Sequence, residues 1–195
     1  VARALGEAAQ DRRVELEGVV GAAETVAAFV SGFGRPTRPY AQLMLYQHQG
    51  EIVGGEADGR ARVAATNDLA TVVAMLDAFD LELSMIKSSE PTVRRAQRRI
   101  AAEEITVWQR GDEVVAMAGA NPLPAQSARV GPVYVRPDHR RSGVAQAVTA
   151  AATQHIQRDG PRTVFLFTDA RNPASNKAYQ RIGYRHIADH LHLLF

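Results

Sequence analysis

The stretch Val133-Tyr134-Val135-Arg136-Pro137-Asp138-His139-Arg140-Arg141-Ser142-Gly143-Val144-Ala145 decides how the chain is read. Valine and tyrosine suit a strand, and Pro137, which has no N–H to give to a ladder, predicts that the strand stops near Arg136. A tight turn follows. Beyond it, small or apolar residues recur at Val144, Ala147, Val148, Ala151, Ala152 and Ile156, one face of an amphipathic helix that opens near Arg141 or Ser142. The first amides of a helix lack intrahelical acceptors and carry the positive end of its dipole, so they attract an anion. Gly143 and Ala145 keep side chains clear of those amides, and Arg140 and Arg141 add charge on either side. The pattern describes a cradle for a pyrophosphate.

A nucleoside-triphosphate loop needs Lys and then Ser or Thr after its last glycine, but Gly143 is followed by Val144-Ala145. A dinucleotide turn needs three spaced glycines, and here there is one. What remains is Arg140-x-x-Gly143-x-Ala145 after a strand. Downstream stands Asp169-Ala170-Arg171-Asn172-Pro173-Ala174-Ser175-Asn176-Lys177-Ala178-Tyr179-Gln180-Arg181-Ile182-Gly183-Tyr184. Asn172-Pro173 reads as a helix start and Gly183 as its stop, so Asn172, Ser175, Asn176 and Tyr179 fall close to one helical face. Taken singly, Asn172 would be a helix cap and Tyr179 a core aromatic.

In this order and spacing, the two motifs resemble the GNAT acetyltransferase superfamily: the coenzyme A signature, then Asn, Tyr seven residues on, and Gly-Tyr four residues after that. The resemblance covers residues 60 to 195 and is closest to acetyltransferases whose N-terminal GNAT-like unit is degenerate. It implies an α/β (α+β) fold with a mixed, mostly antiparallel sheet and flanking helices, a GNAT domain at 60–195 and a partial unit at 1–56. It implies acetyl-CoA as cosubstrate, no metal, and direct acetyl transfer to a small-molecule or protein amine. By carry-over, the backbone of Val133, Tyr134 and Val135 would hold pantetheine and polarise the thioester. Arg140, Arg141, Ser142, Gly143, Val144, Ala145 and Gln146 would hold pyrophosphate, Asn172 and Asn176 would contact the coenzyme, and Tyr179 would be the general acid. Many family members carry a Glu on the strand before the cradle. Arg129 to Val135 contains no carboxylate, leaving Glu113, Asp169 or water as the base, and leaving open a catalytically silent acyl-CoA-binding or scaffold domain.

A 195-residue chain with 46% hydrophobic residues can bury a full domain core. It contains no cysteine, so it has neither disulfides nor a thiolate nucleophile. With 23 basic and 21 acidic residues, the net charge of +2 is too balanced for a nucleic-acid partner to be expected. No apolar run is long enough to cross a bilayer and the start has no signal-peptide core, so a cytoplasmic location without membrane contact is expected.

Along the chain, the pattern predicts a helix over 2–12, a strand over 14–20, and a helix over 22–30 ended by Gly32-Phe33-Gly34. A strand over 38–48 follows. These elements read as a fragment of a degenerate sister unit or as an unrelated extension; its strands would extend the main sheet or pair with a second copy as a homodimer. Residues 54–59 read as a linker. A strand over 60–65 leads to a helix from Leu69, capped by Asn67 or Asp68. A second helix after Pro91 carries Arg94, Arg95, Arg98 and Arg99, a solvated face with Arg99 near Glu103. Strands over 104–109 and 113–118 turn at Gly111-Asp112, and residues 121–124 read as a loop. Gly131-Pro132 interrupts the strand over 129–135, freeing backbone groups that an extended ligand could bond. Asp159-Gly160-Pro161 reads as a stop before a strand over 163–167 covered on both faces. His190 and His192, two apart on a last strand, lack a third ligand for a metal.

Overall fold

The periodicities resolve, in a computed structural model describing residues 1–83, 90–158, 160 and 162–195, into helices and mostly antiparallel strands. In chain order these are α1 (Ala2–Asp11), β1 (Gly18–Gly21), α2 (Ala23–Phe33), β2 (Arg38–His48), β3 (Arg60–Val63), α3 (Leu69–Glu82), α4 (Thr92–Ala101), β4 (Ile105–Arg110), β5 (Glu113–Leu123), β6 (Ser127–Val135), α5 (Val144–Gln157), β7 (Thr163–Asp169), α6 (Pro173–Arg181) and β8 (Tyr184–Leu194). This is the mixed α/β architecture expected. Among the described residues no helix is long and apolar enough to cross a membrane. The expected stop at 159–161 lies partly outside the described residues.

Contacts divide the chain into two units. The first comprises Val1–Tyr46, Phe167–Asn176 and His186–Phe195. Its helices α1 and α2 meet backbone to backbone: a Cβ on Gly6 would lie 2.2 Å from the Phe29 carbonyl oxygen, and one on Gly32 2.1 Å from that of Arg3. Gly32 is therefore a packing residue inside α2, not its breaker. The helix ends one turn later than expected, at Gly34, which takes the left-handed conformation of a C-cap. Fully buried Phe33 packs edge-on against Phe195, ring centroids 4.7 Å apart. Strand β1 begins at Gly18 rather than Val14, because the chain leaving α1 folds back, Val14 N–H donating to the Ala9 carbonyl, before it extends. It pairs antiparallel with β8, Gly18 opposite Leu194.

The second unit comprises Gln47–Leu166 and Lys177–Arg185. Here β3, β4, β5 and β6 pair antiparallel in succession, and the start of β7 joins β6 in parallel. Arg110 opposes Glu113 across Gly111-Asp112, the two-residue hairpin expected. Alternation places Ile105, Val107, Met117 and Tyr134 in a core with Val72, Met75 and Leu76 of α3 and Ala96 and Ile100 of α4. Helix α5 packs on β4, β5 and β6 and buries Ala147, Val148, Ala150 and Ala152. Tyr184 is buried, sharing a 2.7 Å hydrogen bond with Thr153.

Several local expectations give way. Residues 121–123 belong to β5, with Pro122 opposite Ala128. A proline fits there because β4 ends opposite Gly119, so the far side of β5 is an edge that needs no donor. Asp68 stands at the N-cap of α3, but its carboxylate accepts from Ala65 N–H and pairs with Arg62 at 2.6 Å rather than bonding the amides of α3. The basic face of α4 is largely neutralised, Arg95 by Asp80, Arg98 by Glu90 and Arg99 by Glu104 rather than Glu103. Strand β7 alternates buried and half-buried residues, with Val164 and Leu166 inside and Phe165 and Phe167 partly exposed, so its two faces are unequally covered.

Candidate functional site

Strand β6 ends at Val135, residues 137–139 make a 3-10 turn, and the loop then takes two left-handed residues, Arg141 (φ 60°) and Gly143 (φ 79°). This conformation uncoils Arg141 and Ser142 from the helix, so α5 begins at Val144, later than the spacing suggests. Its consequence is a row of free donors. Among the described residues, no amide from Arg141 to Gln146 has an acceptor. The first satisfied amide is that of Ala147, which donates to the Gly143 carbonyl at 3.1 Å. Successive N–H groups around a left-handed residue form a concave anion site, here at the positive end of a 14-residue helix.

The cradle is braced from several sides. The Arg140 guanidinium donates to the Val135 carbonyl at 2.9 Å, pairs with Glu82 and lies over the Tyr134 ring, so it ties strand to turn. Ser142 Oγ donates to the His139 carbonyl at 2.6 Å. Arg110 Nη2 reaches Ser142 Oγ at 3.3 Å, while its Nε donates to the Asp58 carbonyl at 3.0 Å. Arg110 was not evident from sequence, since only the strand pairing brings it beside the loop. The supposed linker is anchored as well: Trp108 Nε1 donates to Asp58 O at 2.8 Å, and residues 55–56 lie on the first turn of α5. A Cβ on Gly143 would sit 2.6 Å from the Glu56 carbonyl oxygen, and one on Gly55 2.8 Å from Ala147 N.

Strand β6 pairs in parallel with β7 from Ser127 opposite Thr163 to Val130 opposite Leu166, and antiparallel with β5, with a register shift opposite Gly119. Arg136 N–H donates to Val115 O, so alternation directs the polar groups of Tyr134 to β5 and those of Val133 and Val135 away from it. Val135 O is taken by Arg140.

Tyr179, on α6, is half-buried and packs edge-on to Tyr184 with ring centroids 6.3 Å apart; burial pushes its phenol up to about 12. In the first unit, Asn172 Oδ1 accepts from Ser175 N–H at 3.1 Å, so it caps α6. Asn176 directs Nδ2 to the Met44 sulfur, and its Oδ1 is buried without a partner. Of the two carboxylates considered as base, Glu113 is ion-paired with Arg136, at the cradle end of β5. Asp169 is clasped by Arg171, which holds its carboxyl below the usual range. His190 lies by Phe167 and His192 by Tyr40, and no group of three metal-ligating side chains occurs among the described residues.

Residues 72–184, which carry this amide nest and the strand before it, match the model of the Acetyltransferase (GNAT) family. The chain belongs to the GNAT acetyltransferase family. Its fold resembles a GNAT acetyltransferase from Colwellia psychrerythraea, with a TM-score of 0.69 and 16% identity over 100% of this chain and 72% of that one. A second GNAT-family structure, from Novosphingobium aromaticivorans, gives a TM-score of 0.61 and 19% identity over 80% and 66%. Among curated proteins, a mycothiol acetyltransferase of Streptomyces coelicolor is 37% identical over 59 residues, 29% of this chain and 19% of that protein. One from Streptomyces scabiei is 27% identical over 130 residues, 64% and 42% respectively. The matched part of the chain thus spans a fifth to two fifths of these relatives. As a GNAT chain it departs from the pattern on β6, where exposed Arg129 and its neighbours supply no carboxylate.

Proposed function

We propose that this GNAT chain is an N-acetyltransferase that moves an acetyl group from acetyl-CoA directly to an amine. The observation that carries the reading is the run of unsatisfied amides from Arg141 to Gln146 where β6 gives way to α5. Such donors suit a diphosphate, and the Val133 and Val135 groups that face away from β5 suit the amide-bearing pantetheine arm as an added strand. Val133 N–H then stands as the donor to the thioester oxygen. The amine nitrogen forms its bond to the carbonyl carbon, the carbon–sulfur bond breaks, and the sulfur leaves with the electron pair toward the Tyr179 hydroxyl. With Glu113 and Asp169 held in ion pairs, the amine loses its proton to water. Asn172 and Asn176 are assigned to the coenzyme's remaining polar contacts, and the compartment proposed is the cytoplasm.

The acceptor panel begins with mycothiol-related amines, because the curated relatives carry that name, and extends to small amines and peptide N-termini. Calorimetry with acetyl-CoA and thiol release with each amine test the proposal. Binding with amine-dependent release is the expected result. Binding without release from any amine would favour the second reading, a silent acyl-CoA-binding domain, which the absent carboxylate on β6 supports.

A further inference from the structure

Arg99 is a buried cation that the reaction scheme does not use. It projects from α4 with 5% of its surface exposed, and its Nη2 donates to two backbone carbonyls, Ala120 O at 3.0 Å and Gly131 O at 3.3 Å. Glu104 lies 3.4 Å from its Nε and supplies the countercharge. Isolating a guanidinium from water is costly, so its placement has to be offset by the groups it meets. Those groups are at the register shift between β5 and β6.

Three further features converge there. Asn121 Nδ2 donates to the same Gly131 carbonyl at 2.5 Å. Pro132, next in line, has no N–H to offer to β7. Gly119 lies opposite: a Cβ there would fall 2.4 Å from Arg99 Nη2 and 2.7 Å from Gly131 O, so only glycine leaves the guanidinium its path. Gly131 O is thus held on the β5 side by two side-chain donors. Without them, the carbonyl beside the register shift would be free to turn.

We infer that Arg99 is a positioning residue that fixes the course of β6 beyond Val130, acting through the Gly131 carbonyl and with Asn121 as its partner, and thereby sets affinity for the pantetheine arm of acyl-CoA. The inference rests on the acetyl-CoA reading. It assigns Arg99 no contact with the diphosphate, which is held by the loop from Arg141 to Gln146.

That separation gives the test. Calorimetry on the full chain compares acetyl-CoA with adenosine 3′-phosphate 5′-diphosphate, which keeps the diphosphate and lacks the pantetheine arm. Arg99→Met is expected to weaken acetyl-CoA at least tenfold and leave the shorter nucleotide within twofold, and Arg99→Lys to recover part of the loss by keeping one donor. Asn121→Ala removes a second bond from the same carbonyl at a half-buried position and is expected to show the same selective loss, which covers the case in which Arg99→Met fails to fold. Equal weakening of both ligands, or no weakening of either, in the folded variants would overturn the inference while the acetyl-CoA reading stands. A wild-type chain that binds neither ligand overturns both.

Discussion

Tyr179 keeps its proton because the ionised phenol would lose hydration in its half-buried position, and its pKa rises from 10.0 to about 12. The sign matters for the proposed chemistry: a raised pKa extends the neutral, donating form upward, so the group that would stabilise the departing sulfur is present throughout the neutral and mildly alkaline range. A thiolate near the ordinary cysteine value of about 8.5 is a weaker base than this tyrosinate, so the hydroxyl acts as a hydrogen-bond donor more than as a complete proton source. Tyr179→Phe should therefore lower kcat by about a hundredfold with acetyl-CoA affinity within twofold. Between pH 6 and 9 the variant should keep the shape of the wild-type rate profile, since the phenol does not titrate there. An unchanged kcat in stopped-assay kinetics would remove Tyr179 from the reaction.

At the level of the element, the loop between β6 and α5 concentrates the binding chemistry, and its shape depends on Gly143. Replacing it with alanine forces a side chain into a left-handed conformation and against the Glu56 carbonyl. A cost of about 1–3 kcal/mol in denaturant melts is expected, together with weakened acetyl-CoA binding. Gly111→Ala is the control: Gly111 is also left-handed but has open space where a Cβ would lie, so stability should fall while coenzyme affinity holds. The cradle was legible in the sequence because its parts are contiguous: a proline after a strand, one glycine and a helical period. The hairpin at Gly111-Asp112 was legible for the same reason. The left-handed Arg141 was not, because no residue type announces it. Arg99 was read as part of a solvated face because its charge outweighed its position, although it lies next to Ile100 and three residues after Ala96, both buried. Its meaning depends on Gly119 and Gly131, distant positions that only strand pairing brings to it.

Across the molecule, the first unit gathers residues from both ends of the chain, a grouping that hydrophobic periodicity does not encode because periodicity acts within a segment. The family was legible because two short motifs stand in register, whereas the acceptor was not, because its recognition is not confined to a contiguous pattern. The glycine-rich segment at 54–59 shows the same limit of local reading. Composition marks it as slack tether, yet Gly55 lies against Ala147 and Gln146, and Trp108 and Arg110 both fasten Asp58. Exchanging its first five positions, 54–58, for a serine-rich spacer of equal length preserves reach but replaces the one residue thin enough to lie on that helical turn. Titration of the exchanged chain should show acetyl-CoA affinity reduced about tenfold at unchanged circular dichroism, and retained affinity would show that the contact is incidental. A site that an engineer would choose for a fusion joint, on glycine content alone, is thereby one of the least interchangeable stretches of this protein.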